Sequence, residues 1–339
     1  MRSGFLKGMC MVALAAAVSC LALSGCRRSG EDGGAEVPAE AGHPLKVVTT
    51  LFPYYDFTRQ IAGENIELSM VIPAGMDSHS FEPTPADIRL IEEADLFICN
   101  GGHMEQWVSQ VLSSLDTPSM TVVTMMDHVD VVEEEIVEGM EVSGHEHEHG
   151  HDEDGEDESL YEIEYDEHIW TSPANAMEIV KVISAALKEA DPEHAKDYEA
   201  GAEAYLAKLL KLDAEFAGVV AEAKRDIMIF GDKFPLRYFA DEYGLRYRAA
   251  FSGCSTDTEP SAKTIAYLID KVREEHIPAV YYLELSSPRV AEIIGEETGA
   301  EPLLFHSCHN VTRREFDAGV TYLELMETNV KNLRKGLCE

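Results

Sequence analysis

Short runs of β-branched and apolar residues alternate with segments of helical periodicity along most of the chain. In the first half, the predicted strands cover residues 46–50, 66–72, 96–100 and 120–124. The predicted helices between them cover residues 54–62, 86–93 and 104–115. Strands and helices that alternate through short turns indicate a parallel sheet covered by helices.

A second series of the same kind follows after a long helical segment. Residues 192–224 contain no proline after the first position, and one helix over this length would span about 50 Å. The second series has predicted strands and helices at 226–230, 236–243, 245–250, 262–275, 279–284, 288–298, 302–306 and 314–334. The two halves therefore look like pseudo-repeats, and strand-end loops of two facing lobes would build a cleft.

These patterns predict an α/β fold of two βα lobes with parallel sheets, joined by one long backbone helix, with a ligand site in the interlobe cleft. The predicted boundaries are an N-terminal lobe at 45–190, a linking helix at 191–224 and a C-terminal lobe at 225–339. The N-terminal lobe includes a loop at 143–167 that is rich in histidine and acidic residues.

The beginning of the chain has the pattern of a bacterial export signal. A positively charged start precedes an apolar run at 9–23, which is too short for a spanning helix and suits the centre of a signal peptide. The run ends in Leu-Ser-Gly-Cys, whose last residue is Cys26, and this motif resembles the lipobox of lipoproteins. We therefore expect a signal peptide at 1–25, a lipid on Cys26 and a flexible tether at 26–44. The predicted location is the outer face of the bacterial cytoplasmic membrane.

The net charge of the chain limits the classes of partner that we expect it to bind. It has 63 acidic and 27 basic residues, for a net charge of -36. Such a surface repels phosphate backbones and anionic lipid head groups, so nucleic-acid binding and polybasic membrane docking are excluded as first expectations. Residues 133–167 alone hold 17 of the acidic side chains and no lysine or arginine. The composition favours a binder of cations or neutral ligands.

Several of the 13 histidines fall where the strand-end cleft is predicted. They are His79, His103, His168, His306 and His309. His79 follows the second predicted strand in a turn-rich loop, and His168 directly precedes a helix. Imidazole nitrogen is a donor that suits zinc, and the lack of a carboxylate cage points away from calcium and magnesium. The placement of these residues predicts a zinc site.

Histidine alternates with acidic residues and glycine at His145, His147, His149 and His151. Such a sequence cannot form a packed core, so we expect a loop that captures metal weakly. A solvated acidic loop with incidental histidines is the alternative. The spacing does not match the H-E-x-x-H motif of zinc proteases.

Together these motifs resemble those of a known family. They are similar to motifs of the metal-specific solute-binding lipoproteins of bacterial ABC importers, the zinc and manganese group. The shared features are the lipobox, the loop 75–85, the run 166–170, the histidine-rich loop before that run and the long helix. The resemblance covers about residues 45–335. It implies a monomeric protein, not an enzyme, that holds a metal between two rigid lobes and hands it to a permease with its ATPase. By this resemblance His79 and His168 are the first two ligands, and the histidine-rich loop favours zinc over manganese.

Two positions depart from the family pattern. The family has His or Glu after the first strand of the second lobe, whereas residues 230–239 contain no histidine. We expect His103 to fill this position, with Asp232 and His309 as less favoured alternatives. The family usually has Asp at the last strand, where His306 aligns, and an imidazole there favours zinc over manganese. The predicted zinc ligands are His79, His103, His168 and His306.

Zinc capture for import competes with three other interpretations: manganese import, a surface adhesin or metal reservoir, and an exported zinc hydrolase. A hydrolase needs an open zinc position with a general base beside it, and Glu105 or Glu167 are the candidates for that base. No nucleophile or oxyanion arrangement is recognisable, which disfavours this function.

Four cysteines remain beyond the signal and the anchor, namely Cys99, Cys254, Cys308 and Cys338. Export exposes them to an oxidising environment. Because Cys254 and Cys308 both follow strand ends of the second lobe, we predict a disulfide between them. The alternative is that Cys308 is a thiolate ligand of zinc beside His306.

Overall fold

The structure is a computed structural model that describes residues 43–117, 119–141, 164–255 and 259–339. The predicted signal peptide, Cys26 and the histidines at 145–151 lie outside these residues. None of the helices in the described ranges combines the length and the apolar character needed to cross a membrane.

The first lobe is built on a parallel sheet of four strands. These are β1 (Leu45–Thr49), β2 (Ile66–Met70), β3 (Leu96–Cys99) and β4 (Thr121–Thr124). The helices of this lobe are α1 (Phe52–Ala62), α2 (Pro85–Glu92) and α3 (Gln106–Ser114). The strand order is β2-β1-β3-β4, with Val47 of β1 opposite Leu68 and Leu96. Every residue of β3 is buried, as expected of a central parallel strand with both faces covered.

Two long helices follow, α4 (Pro173–Ala190) and α5 (Ala195–Ala221). The α4 helix begins where Ser172 accepts a hydrogen bond from Asn175 N, with proline in the first turn. The α5 helix has 27 residues and spans about 40 Å. It is shorter than the predicted linking helix because residues 192–194 form a separate 3₁₀ turn. Gly201 lets α5 approach α1 closely, since a Cβ there would lie 2.2 Å from the carbonyl oxygen of Ile61.

The second lobe repeats the arrangement of the first. Its strands are β5 (Ile227–Ile229), β6 (Lys233–Phe234), β7 (Arg246–Arg248), β8 (Phe251–Ser252), β9 (Ala279–Tyr282) and β10 (Glu301–Leu304). Its helices are α6 (Arg237–Tyr243), α7 (Ala262–Glu274), α8 (Arg289–Thr298), α9 (Arg313–Asp317) and α10 (Tyr322–Cys338). Parallel pairs β5-β7 and β9-β10 are joined by a bridge from Phe230 to Tyr281.

The resulting order β7-β5-β9-β10 matches that of the first lobe, strand for strand. The prediction of an α/β fold with two similar parallel sheets and a long helix is therefore confirmed. The predicted final helix at 314–334 is in fact two helices, because Thr312 and Thr321 each form a capping box, with Glu315 and Glu324 respectively.

A segment of the first lobe crosses to the second lobe before the histidine-rich stretch. Glu141 N donates to the Ala250 carbonyl at 2.9 Å, and Cys254 N donates to Glu134 Oε1 at 3.0 Å. Glu135 forms an ion pair with Arg237. These contacts connect the lobes in addition to α5.

Candidate metal centre

Three histidines from different parts of the chain line one cavity between the lobes. His79 follows β2, His168 precedes α4 and His309 follows β10. The ring centroids of His79 and His168 are 5.8 Å apart, and those of His79 and His309 are 6.2 Å apart. The cavity has a volume of about 150 Å³. Imidazole donors from both lobes therefore meet at one place.

Hydrogen bonds within and between the lobes fix the loop that carries His79. Asp77 caps a short 3₁₀ turn, and its Oδ1 accepts from His79 N at 2.9 Å. From the second lobe, the side-chain amide of Asn310 donates to the carbonyl oxygens of Pro73 at 2.9 Å and Met76 at 2.8 Å. The loops that carry His79 and its counterpart from the second lobe are thus bonded to each other.

A buried carboxylate orients His168. Asp166 Oδ1 lies 3.0 Å from His168 Nδ1 and accepts the backbone N–H of the same residue at 2.8 Å. A hydrogen bond at Nδ1 leaves Nε2 as the donor for a metal, the arrangement that second-shell carboxylates produce in zinc sites. Trp170 donates its indole N–H to the Ser307 carbonyl at 2.8 Å, which links this segment to the loop of the third histidine.

Side chains on both sides hold His309. Ser78 Oγ lies 2.5 Å from its Nε2, and the indole of Trp170 stacks on the ring with 6.1 Å between centroids. Its backbone N–H donates to Ser307 Oγ at 3.3 Å. The preceding residue, Cys308, has a positive φ of 60°. This local turn separates the direction of His309 from that of His306.

Burial and crowding keep two of the three imidazoles neutral. Burial first, and then the neighbouring His168 and His309, lower the pKa of His79 to about 3. Burial is also the main cause that lowers the pKa of His309 to about 4. Burial alone would lower the pKa of His168, but the charge and hydrogen bond of Asp166 outweigh it and raise that pKa above 6.5. Neutral imidazole is the form that binds metal.

The ring of His79 lies slightly farther from the rings of His168 and His309 than it would in a formed zinc site. Two imidazoles on one tetrahedral zinc, with Zn–N of about 2.0–2.1 Å, have centroids about 5 Å apart, so the rings here are about 1 Å too distant. Among the described residues, no three His, Cys, Asp or Glu side chains already stand close enough to share a metal ion. Zinc binding in this cavity therefore requires side-chain movement that brings the rings closer together.

The other two predicted ligands lie elsewhere. His103 is exposed on a neighbouring cavity of about 650 Å³ that His79 also lines, and its Nδ1 lies 2.7 Å from Gln106 Nε2. His306 is buried, with Nδ1 3.3 Å from Glu284 Oε1 and 3.1 Å from the N–H of Cys308. The predicted set of four is therefore not assembled in the structure. The alternative His309 joins His79 and His168 instead.

Lys233 lines the cavity. It follows the first strand of the second lobe, where the family pattern has a metal ligand. Its Nζ lies 3.9 Å from Asp77 Oδ2, and its side chain is 13% exposed. The neighbouring Asp232 uses its carboxylate to accept from the backbone of Lys233 at 2.8 Å and of Leu283 at 3.2 Å. Sequence reasoning noted the missing histidine in this segment but overlooked the lysine.

Sequence reasoning also missed Glu284, a carboxylate just after β9 that lines the cavity. It accepts from Ser307 N at 2.8 Å and from Ser307 Oγ at 2.6 Å. Burial would raise its pKa, but His306 and these hydrogen bonds outweigh that effect and lower the pKa to about 2. Its position at a strand end was the signal available in the sequence.

The predicted disulfide is not formed, since Cys254 and Cys308 are both free thiols. Cys254 lies beside Glu134, to which its backbone N–H is bonded. Cys308 is fully buried, and burial, with the charges of Glu284 and Asp56, raises the pKa of its thiol well above the usual range. Cys254 and Cys308 therefore have different neighbours. The raised thiol pKa of Cys308 also disfavours the alternative that this residue is a thiolate ligand of zinc.

The two glutamates considered as catalytic bases hold the loop after β3. Glu105 Oε2 accepts from Asn100 N at 2.7 Å and Gly101 N at 3.0 Å. Glu167 accepts from Met104 N at 2.7 Å and from the backbone of His103. These backbone hydrogen bonds give both carboxylates a structural role.

Comparison with known proteins places this site in a family. The sequence matches the family described as the periplasmic component A of the zinc-uptake complex over residues 47–336. The chain belongs to this family. The match confirms the resemblance predicted from the motifs, including its zinc-binding branch.

Relatives of this zinc-uptake family member share much of its length. It is 33% identical over 317 residues to the high-affinity zinc uptake system protein ZnuA of Bacillus subtilis (strain 168), a match that covers 94% of each chain. It is 33% identical over 295 residues to the zinc-binding protein AdcA of Streptococcus pyogenes serotype M18, covering 86% of this chain and 55% of AdcA. The crystal structure of the Zn(II)-bound ZnuA-like domain of Streptococcus pneumoniae AdcA superposes with a TM-score of 0.70, 28% identity and coverage of 88% of this chain and 100% of that domain.

Proposed function

We propose that this protein captures zinc outside the cytoplasm and delivers it to the permease of an ABC importer. In this proposal His79, His168 and His309 hold the ion between the lobes. The observation that carries it is the convergence of three imidazoles, from both lobes, on one small cavity. The zinc-uptake and zinc-binding names of the relatives support the same cargo.

The donor set favours zinc over manganese. Imidazole suits zinc, whereas manganese prefers carboxylate, carbonyl and water oxygens. The carboxylates of Asp77 and Glu284 line the cavity, but each already accepts hydrogen bonds from backbone N–H groups. Three imidazoles line the cavity against these two carboxylates, so nitrogen donors are in the majority.

The proposal extends to how the protein is held and loaded. A lipid on Cys26 would tether the folded lobes to the outer face of the cytoplasmic membrane, close to the permease. The histidines at 145–151 would raise the local zinc concentration by weak contacts. Deleting residues 144–158 should then leave the tight site intact and remove only weak zinc equivalents, whereas loss of the tight site would place a primary ligand in the deleted stretch.

The ligand assignment is tested with single alanine variants and a chromophoric zinc chelator as competitor. Replacing His79, His168 or His309 should each weaken the tight site by at least about 100-fold, because one of three protein donors is lost. His103→Ala, which removes a predicted ligand that lies outside the cavity of the three histidines, is the matched control and should bind zinc like the parent. A parent-like affinity in His309→Ala, together with a loss in His103→Ala or His306→Ala, would contradict the assignment.

A further inference from the structure

The segment that carries His168 is bonded to a tyrosine of the second lobe. The phenol of Tyr238, on α6, donates to the carbonyl oxygen of Asp166 at 2.6 Å. The same phenol oxygen accepts the backbone N–H of Val132 at 3.2 Å. Burial is the main cause that raises the pKa of this phenol, so the hydroxyl keeps the proton that it donates. One buried hydroxyl therefore joins two separate segments of the first lobe.

These two segments pair in the antiparallel manner, and Tyr238 is inserted at the end of their pairing. Glu133 and Tyr165 form an antiparallel bridge, and Asp166 N donates to the Val132 carbonyl at 2.9 Å. Residues placed like Val132 and Asp166 normally exchange two such bonds directly. Here the second bond, from Val132 N to the Asp166 carbonyl, runs through the Tyr238 hydroxyl instead. A side chain of the second lobe thus completes a pairing within the first lobe.

The pairing ends at the residue that orients His168. Asp166 Oδ1 accepts the backbone N–H of His168 at 2.8 Å and lies 3.0 Å from its ring Nδ1. The direction of the Asp166 peptide therefore sets the direction of the imidazole. The second lobe also lies close to the ring itself, since a Cβ at Gly253 would be 3.3 Å from His168 Cε1. The position of this ligand thus depends on residues of both lobes.

We propose that Tyr238 is a positioning residue for zinc binding, whose hydroxyl fixes the Asp166 peptide and thereby directs His168 at the metal. This inference rests on the proposed zinc-binding function. Partners of this kind hold a metal ligand in the orientation that binding requires. Because Tyr238 belongs to the second lobe, the correct presentation of His168 requires the two lobes to stay together. Separation of the lobes would break this contact and weaken the hold on zinc, which suits a protein that hands the ion on.

The test removes the hydroxyl and keeps the aromatic ring. Tyr238→Phe should weaken zinc binding about tenfold in chelator competition, the lower end of the loss expected when a partner of a metal ligand is removed. In a His168→Ala background the same substitution should change the zinc affinity by less than about twofold, because the residue that it positions is absent. Tyr243→Phe is the matched control, since Tyr243 lies on the same helix and its hydroxyl donates to Asp213 Oδ1 at 2.9 Å. The zinc affinity of this control should equal that of the parent, and thermal unfolding of the metal-free variants shows that each one folds.

A second measurement does not depend on zinc. In the metal-free parent, at a pH at which His168 is neutral, nitrogen–proton NMR spectra should show the proton of this imidazole fixed on Nδ1; its signals are identified by their absence from His168→Ala. Tyr238→Phe should show an average of the two neutral forms of the ring, whereas Tyr243→Phe should give the parent spectrum. A parent spectrum or a parent zinc affinity in Tyr238→Phe, or an equal loss of affinity with and without His168, would overturn the inference. Failure of the parent to bind zinc, with these spectra as expected, would instead overturn the proposed function.

Discussion

The carboxylate of Asp166 offers the sharpest single perturbation of the proposed centre. Its Oδ1 accepts from both the ring and the backbone of His168, at 3.0 and 2.8 Å. Asp166→Asn keeps the size of the side chain and an oxygen that can accept the backbone bond. It removes the negative charge that fixes the imidazole with Nε2 directed to the metal.

Loss of a second-shell partner of this kind weakens metal binding about 10- to 100-fold, which corresponds to about 1.4–2.8 kcal/mol. We expect Asp166→Asn to fall in this range, while the variants that remove an imidazole lose more. The assay is zinc competition with a chromophoric chelator, alongside thermal unfolding of the metal-free protein to confirm that the variant folds.

The chain provides a matched control in Asp191→Asn. Asp191 Oδ2 pairs with His194 Nδ1 at 2.7 Å, so the same chemistry is changed between α4 and α5 rather than at the cavity. Its zinc affinity should equal that of the parent. An unchanged affinity in Asp166→Asn, or an equal loss in Asp191→Asn, would refute the assignment of Asp166 as the residue that orients a ligand.

Three further predictions concern protons, packing and thiols. At a pH below the raised pKa of His168, zinc binding should release about one proton from that imidazole, because the other two imidazoles are already neutral. The zinc affinity should fall about tenfold per unit as the pH drops further below that pKa. Calorimetry in buffers of different ionisation enthalpy would contradict this if three protons were released. Gly201→Ala should lower the free energy of unfolding by about 1–3 kcal/mol, because the new Cβ meets the Ile61 carbonyl. Gly218→Ala on the same helix has open space around it and should raise the free energy of unfolding by about 0.5–1 kcal/mol. Equal shifts of the two variants in urea unfolding would refute the packing argument. Cys308 should resist alkylation in the folded protein, being buried with a raised thiol pKa, and rapid labelling detected by mass spectrometry would contradict its position.

The alternation of apolar runs was sufficient to predict both sheets, because parallel strands buried on both faces leave a clear pattern. The resemblance to the family indicated His79 and His168 as ligands, and the structure brings both to one cavity. Both residues lie in short segments whose turns are set locally, by Asp77 and Asp166 respectively. Local hydrogen bonding of this kind can be read from neighbouring residues.

The choice between His306 and His309 depended on features that a strand-end argument does not contain. Both residues follow β10, but the positive φ at Cys308 turns the chain between them, and Glu284 from another strand end engages His306. His103 was placed by the end of β3, yet the 3₁₀ turn that it begins leaves it exposed. These outcomes are set by contacts between distant parts of the chain, which a pattern of neighbouring residues does not reveal.

The most direct test of the account is a crystal structure of the zinc-loaded protein with anomalous data collected on both sides of the zinc absorption edge. The account predicts one strong zinc peak between the lobes, within about 2.0–2.1 Å of an imidazole nitrogen of His79, His168 and His309. A peak bound by His103 or His306 in place of His309, or by the sulfur of Cys308, would contradict it.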